Sequence, residues 1–219
     1  MSYTLDTKVA KSADALSASI REAGKYIGTI TRAEAIKSTN GTTGLGLSFK
    51  ADDGATADYL DLWTHRSNGE ALSSLKTVNA LLACTKLRSI NQGPIHFEKW
   101  NKDAKQREKV QGTGYPELMG KRIGFLLRKE LETDQHGEDR ERVGIFAIFQ
   151  ADTELTATEV LDQKTKPERL SKMFDALMAR PVNDKRKSAQ SRPAQHGAPA
   201  GRPAPAGAGF DDMDDDIPF

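Results

Sequence analysis

Residues 45–64 read LGLSFKADDGATADYLDLWT, the clearest structural signal in the chain. Leu45, Leu47 and Phe49 alternate with Gly46, Ser48 and Lys50, the period of two that marks a half-buried strand. Asp53-Gly54 follows, and its glycine accepts the positive φ of a tight hairpin turn. From Ala57 to Thr64 the alternation resumes, with Leu60 and Leu62 on one face and Tyr59, Asp61 and Trp63 on the other. Upstream, Lys25 to Ile36 alternates more loosely, with Gly28 at a bulge or a close approach, and Asn40-Gly41 supplies a second turn. Three strands joined by short turns make an antiparallel meander.

Outward from the meander, Ser67 and Glu70 are spaced as a capping box, and Ala71, Leu72, Leu75, Val78, Leu81 and Leu82 form the apolar stripe of a helix that packs on the core. Residues 95–100 suit a strand. After them a polar run carries Lys102, Lys105, Arg107 and Lys109, and Gly112-Thr113-Gly114 reads as flexible. Arg122 to Leu131 and Val143 to Phe149 are strand candidates around a polar hairpin loop, 134–139. Residues 6–23 read as an N-terminal helix; 153–161 and 167–179 read as short helices, the second opening on Pro167. The division expected is 1–23 for the N-terminal helix, 24–180 for the folded body, 181–209 for a linker and 210–219 for an acidic end, with packing lost from Asn183 onward. The fold class expected is mainly β with flanking helices, an OB-fold-like five-stranded antiparallel barrel followed by a disordered C-terminal tail. A β-sandwich or another small α+β fold gives a similar pattern.

The chain has 219 residues, 32 Lys+Arg and 31 Asp+Glu. Five of the acids fall between 211 and 216, which leaves 26 acids against the 32 bases elsewhere, a mildly basic body with an acidic end. Between 193 and 209, 14 of 17 residues are Pro, Gly or Ala, too little apolar surface to offset the entropy of ordering. One cysteine excludes a disulfide framework and a thiolate zinc site. No stretch is apolar for the ~18 residues a membrane span needs, and the N-terminus lacks a signal-peptide apolar region, so a soluble protein of a reducing cytoplasm is expected.

No enzyme signature holds. Gly114 to Gly120-Lys121 is one residue too long for a phosphate-binding loop, and Arg122 stands where Ser or Thr would hold magnesium. His65, His96, His136 and His196 show no ligand spacing, the aspartates of 211–216 lack the spaced ligands and glycine of a calcium loop, and Cys84 reads as a core residue. Neither a metal nor a cofactor is expected. The outward face of the third strand is more informative. Exposed rings on which unpaired bases stack, flanked by cations that follow phosphates, are what a single-strand binder needs. The candidates are Tyr59, Trp63 and Trp100 for stacking, and Lys50, Lys99, Lys102, Lys105, Arg107, Arg122 and Arg128 for phosphates. The competing readings are that a helix or a partner subunit covers Tyr59 and Trp63, and that 99–109 is a solvated loop.

The chain closes on Asp211-Asp212-Met213-Asp214-Asp215-Asp216-Ile217-Pro218-Phe219, after the Pro/Gly-rich linker. In sequence and in place this resembles the acidic tip of bacterial single-stranded DNA-binding proteins. The resemblance covers about the last 30 residues; the body, whose strands begin only near Lys25, looks more like phage-encoded single-stranded DNA-binding proteins with a divergent OB-like domain. It implies a non-enzymatic protein that protects single-stranded DNA in replication, recombination and repair, in a bacterial cell or phage-infected host. It also implies that Asp214, Asp215, Asp216, Ile217, Pro218 and Phe219 recruit replication and recombination enzymes. The physics suits that role: the ring fills a pocket, Pro218 holds Ile217 extended, and the aspartates steer toward basic surfaces. A homo-oligomer is left open. The alternative is a recombination mediator or adaptor that uses the tip but has little DNA affinity of its own.

Overall fold

The computed structural model describes residues 19–101, 106–134 and 136–186. Mostly antiparallel β structure with few helices follows the expected OB-like plan. The meander is β1 (Gly24–Lys37), β2 (Thr43–Ala51) and β3 (Thr56–His65), turned at Gly41 and Gly54, both with positive φ. α1 (Ser74–Thr85) follows, then the hairpin β4 (Gly93–Asn101) and β5 (Gln106–Gly114), a 3-10 turn over Pro116–Leu118, and the hairpin β6 (Arg122–Thr133) and β7 (Asp139–Phe149). α2 (Ala157–Leu161), α3 (Leu170–Ala179) and the short β8 (Val182–Asp184) complete the described chain.

The long first strand organises the sheet. Along one edge β1 pairs with β2; along the other its first half, Gly24 to Thr29, pairs with β6, and Glu34 meets Gly114 of β5. Five strands in the order β3-β2-β1-β6-β7 therefore form the barrel wall, and β7 curls back into contact with β3. Three more strands extend that plan: the β4–β5 hairpin branches from the upper half of β1, and β8 runs parallel to β6 at Lys129 to Leu131, beyond where β1 has ended. Crowding sets β1 against its neighbours, since a Cβ at Gly28 would lie 2.1 Å from the Lys50 carbonyl oxygen.

Inside the barrel Ile30, Leu45, Leu47, Phe49, Leu60, Leu62, Ile123, Phe125 and Leu127 form the core, with Phe49 and Phe125 edge to face at 5.0 Å. α1 closes one end with Leu81 and Cys84. Complete burial of such side chains is worth about 1.5–3 kcal/mol each. A second cluster lies outside the wall, where Leu170 and Leu177 of α3 cover Leu126, Ala147 and Phe149. Among the described residues no helix is long and apolar enough to cross a membrane.

Several local expectations are corrected. Ser67 and Glu70 cap nothing: Arg66 N–H donates to the Glu70 carbonyl in a turn, and the helix starts at Ser74. Residues 106–114 are a strand because β4 offers them a full ladder, so the part of the basic run at Arg107 and Lys109 is not a plain loop and Gly112 and Gly114 are paired; residues 102–105 lie outside the described residues. Pro167 precedes α3, which starts at Leu170. Packing continues to Arg186, because Lys185 N–H donates to the Leu131 carbonyl and the side chain of Lys185 pairs with Glu130. Ser19 and Ile20 are not helical; Ile20 is buried and its N–H donates to the Thr56 carbonyl. Residues 21–23 are not helical either, while residues 6–18 of the expected N-terminal helix, and the tail with Asp214, Asp215, Asp216, Ile217, Pro218 and Phe219, lie outside the described residues.

Candidate nucleic-acid interface

A β-bulge shapes the outer face of the meander. Ile30 pairs with Phe49 and Arg32 with Ser48, so Thr31 is an extra residue and both Thr31 and Arg32 are turned outward. A matching irregularity in β3 leaves Asp58 and Tyr59 together opposite Ser48, with Tyr59 at φ +59°. The outer face then reads, row by row, Lys50 beside Thr29; Arg32 beside Ser48; Glu34, Gly46 and Asp61; and Ile36, Gly44 and Trp63.

Against this floor stands the β4–β5 hairpin, and between them runs a groove of about 680 Å³. Lys50, Arg32, Thr56 and Asp58 line its floor; His96, Phe97, Glu98 and Lys109 line its wall. Arg32 is the link between the two. Its guanidinium lies 5.2 Å from the Tyr59 ring centroid and 5.7 Å from that of Phe97, both within cation–π range. Nη1 is 3.3 Å from Glu34 Oε2, and Nη2 donates to the Leu47 carbonyl at 3.5 Å. Tyr59 is 49% exposed and presents one of the few large apolar surfaces left open among the described residues.

The structure brings some of the candidates together. Lys50 lines the groove, Tyr59 reaches it through Arg32 while lining a neighbouring cleft with Glu141, Arg142 and Val143, and Lys99 is exposed two residues beyond Phe97 on β4. Trp63 is half-buried on the outer face of β3, two rows from Arg32. Arg122 shares a row with Thr29 and Lys50, but its guanidinium grips Asp52 with contacts of 2.9 and 3.3 Å. Arg128 belongs to the other wall, 5.4 Å from the Phe146 ring and near Glu130. Trp100 and Arg107 face each other in the register of β4 and β5, with side chains outside the described set, as are Lys102 and Lys105 altogether.

Sequence reasoning missed Arg32, Phe97 and Glu34. Strict alternation puts Arg32 on the core side with Ile30, and only the bulge, which has no sequence signature here, turns it out. The sequence places Phe97 only within a strand, because the polar residues 106–109 give no alternation to signal the hairpin that presents it. Elsewhere the titratable groups do structural work. Cys84 is buried and its thiol is pushed up to about 12. Among the described residues no group of three metal-ligating side chains comes together. No protein-family model matches the chain, and no curated protein matches it significantly in sequence.

Proposed function

We propose that the protein is a non-catalytic binder of single-stranded DNA that recruits DNA-processing enzymes through residues 211–219. The observation that carries the reading is the groove on the outer face of the meander, lined by Lys50, Lys109 and Arg32, with the half-exposed Tyr59 ring stacked against the Arg32 guanidinium at its margin. Unpaired bases stack on such a ring, and the ammonium groups neutralise phosphates; duplex DNA, whose bases are already stacked, cannot use it. The site lies on the face through which OB-like barrels hold oligonucleotides. The tip of Asp214, Asp215, Asp216, Ile217, Pro218 and Phe219 supports the recruiting role by its sequence alone.

The test is a gel shift with single-stranded and duplex DNA on the full chain and on a chain lacking 211–219. The full chain should retain single strands preferentially. Removing the acidic end should tighten DNA binding at low salt and abolish capture of replication enzymes. A chain that captures enzymes yet ignores single strands is an adaptor, and the binding reading falls.

A further inference from the structure

Asp61 lies on the outer face of β3, two residues from Tyr59 and two from Trp63, opposite Gly46 of β2. A Cβ at Gly46 would come 3.2 Å from Asp61 Oδ1, so the carboxylate leans over the glycine. Among the described residues none donates a hydrogen bond to it. The cations whose fields reach it are engaged elsewhere: Arg32 with Glu34 at 3.3 Å, and Arg142 with Glu130 at 3.1 Å. Burial raises the pKa of Asp61 in spite of those two arginines, and the neighbouring Glu34 adds to the rise. Arg32, only 5% exposed, leaves its Nε without an acceptor under the Tyr59 ring.

A half-buried carboxylate without a donor is completed by hydrogen-bond donors and repels phosphate. Between two outward aromatic residues, the donor that fits is the edge of a base. Guanine presents N1–H and N2–H side by side, a match for two carboxylate oxygens. Adenine and cytosine offer one amino group, and the N3–H of thymine sits between carbonyl oxygens that the carboxylate repels. Two residues of strand span roughly 6–7 Å, so a base stacked on Tyr59 reaches Asp61 with its edge. Resting on the single-strand reading above, we propose that Tyr59 and Asp61 form a base-selective subsite: guanine stacks on Tyr59 and donates N1–H and N2–H to Asp61, while phosphates run on the Lys50 and Lys109 side.

Fluorescence anisotropy on the full chain tests this with three labelled oligomers of ~15 nucleotides. One is all thymidine, one carries isolated guanosines, and one carries inosine, which lacks the N2 amino group, at the same places. The guanosine oligomer should bind about tenfold tighter than thymidine, and inosine should lose most of that gain. Asp61→Asn should erase the preference while keeping thymidine binding and the melting temperature. Equal affinity for all three oligomers, or a preference that survives Asp61→Asn, overturns the subsite and leaves the single-strand reading standing. Binding to none overturns both. Should Asp61→Asn melt early, the inosine comparison on the natural sequence decides by itself.

Discussion

Tyr59 holds φ at +59°, a conformation that costs a residue with a side chain about 1 kcal/mol or more. The strain holds its ring over Arg32 and half open to solvent. Tyr59→Ala should therefore weaken binding to oligothymidine by about 1–3 kcal/mol in a fluorescence titration, with little change in melting temperature. Glu159 works in the opposite sense, for the fold alone. Its enclosed carboxylate is opposed by burial, yet accepts hydrogen bonds from Thr156 N–H and O–H and from the backbone N–H of Glu168 and Arg169. These donors prevail, and the pKa falls to about 2. A carboxyl with a depressed folded pKa stabilises at pH above its ordinary value and loses that contribution as pH falls toward 2. Glu159→Gln should cost about 1.5–3 kcal/mol at pH 7. The gap in melting temperature between it and the natural protein should close between pH 4.5 and 2. Cys84, with its thiol pushed up to about 12 by burial, should resist a thiol reagent at pH 8 until the protein is unfolded.

Among the elements, α3 packs in a cluster of its own outside the barrel and depends on Leu170 and Leu177 against Leu126, Ala147 and Phe149. Leu177→Ala should cost about 2–5 kcal/mol in chemical denaturation, because a fully buried leucine there leaves a cavity between helix and sheet. The meander was legible because its alternation and its two glycine turns are local signals: Leu45, Leu47, Phe49, Leu60 and Leu62 are all buried, as their spacing requires. So was the close approach at Gly28. β5 was not legible, since Gln106-Arg107-Glu108-Lys109 has no apolar alternation and becomes a strand only because β4 pairs with it. The start of α1 was misplaced for a related reason, with a chance Ser/Glu spacing outweighing the Ser73–Ser74 start. In the site, Tyr59 and Lys50 followed from alternation, whereas Arg32 required a bulge that pairing with β2 creates.

For the molecule as a whole, cations and carboxylates share the groove: Lys50, Arg32 and Lys109 face Asp58, Glu98 and Glu34. Such a surface neutralises few phosphates, so its salt dependence should be shallow and each cation visible in it. Lys50→Glu and Lys109→Glu should each weaken single-strand binding at low salt and lower the slope of log affinity against log salt by about 0.7. A titration between low and moderate salt checks this, and an unchanged slope removes the lysine concerned from the phosphate path.

The β4–β5 hairpin is joined to the rest of the sheet by a single rung, Glu34 to Gly114, and by the burial of Ile95 and Phe97. It stands over the trough as a thumb stands over a palm, with no second ladder rung to β1 among the described residues. A polymer lying beneath can be laid in from the side and lifted out again without threading. No free terminus is needed, so a covalently closed circle should be seized as readily as a linear molecule of the same composition.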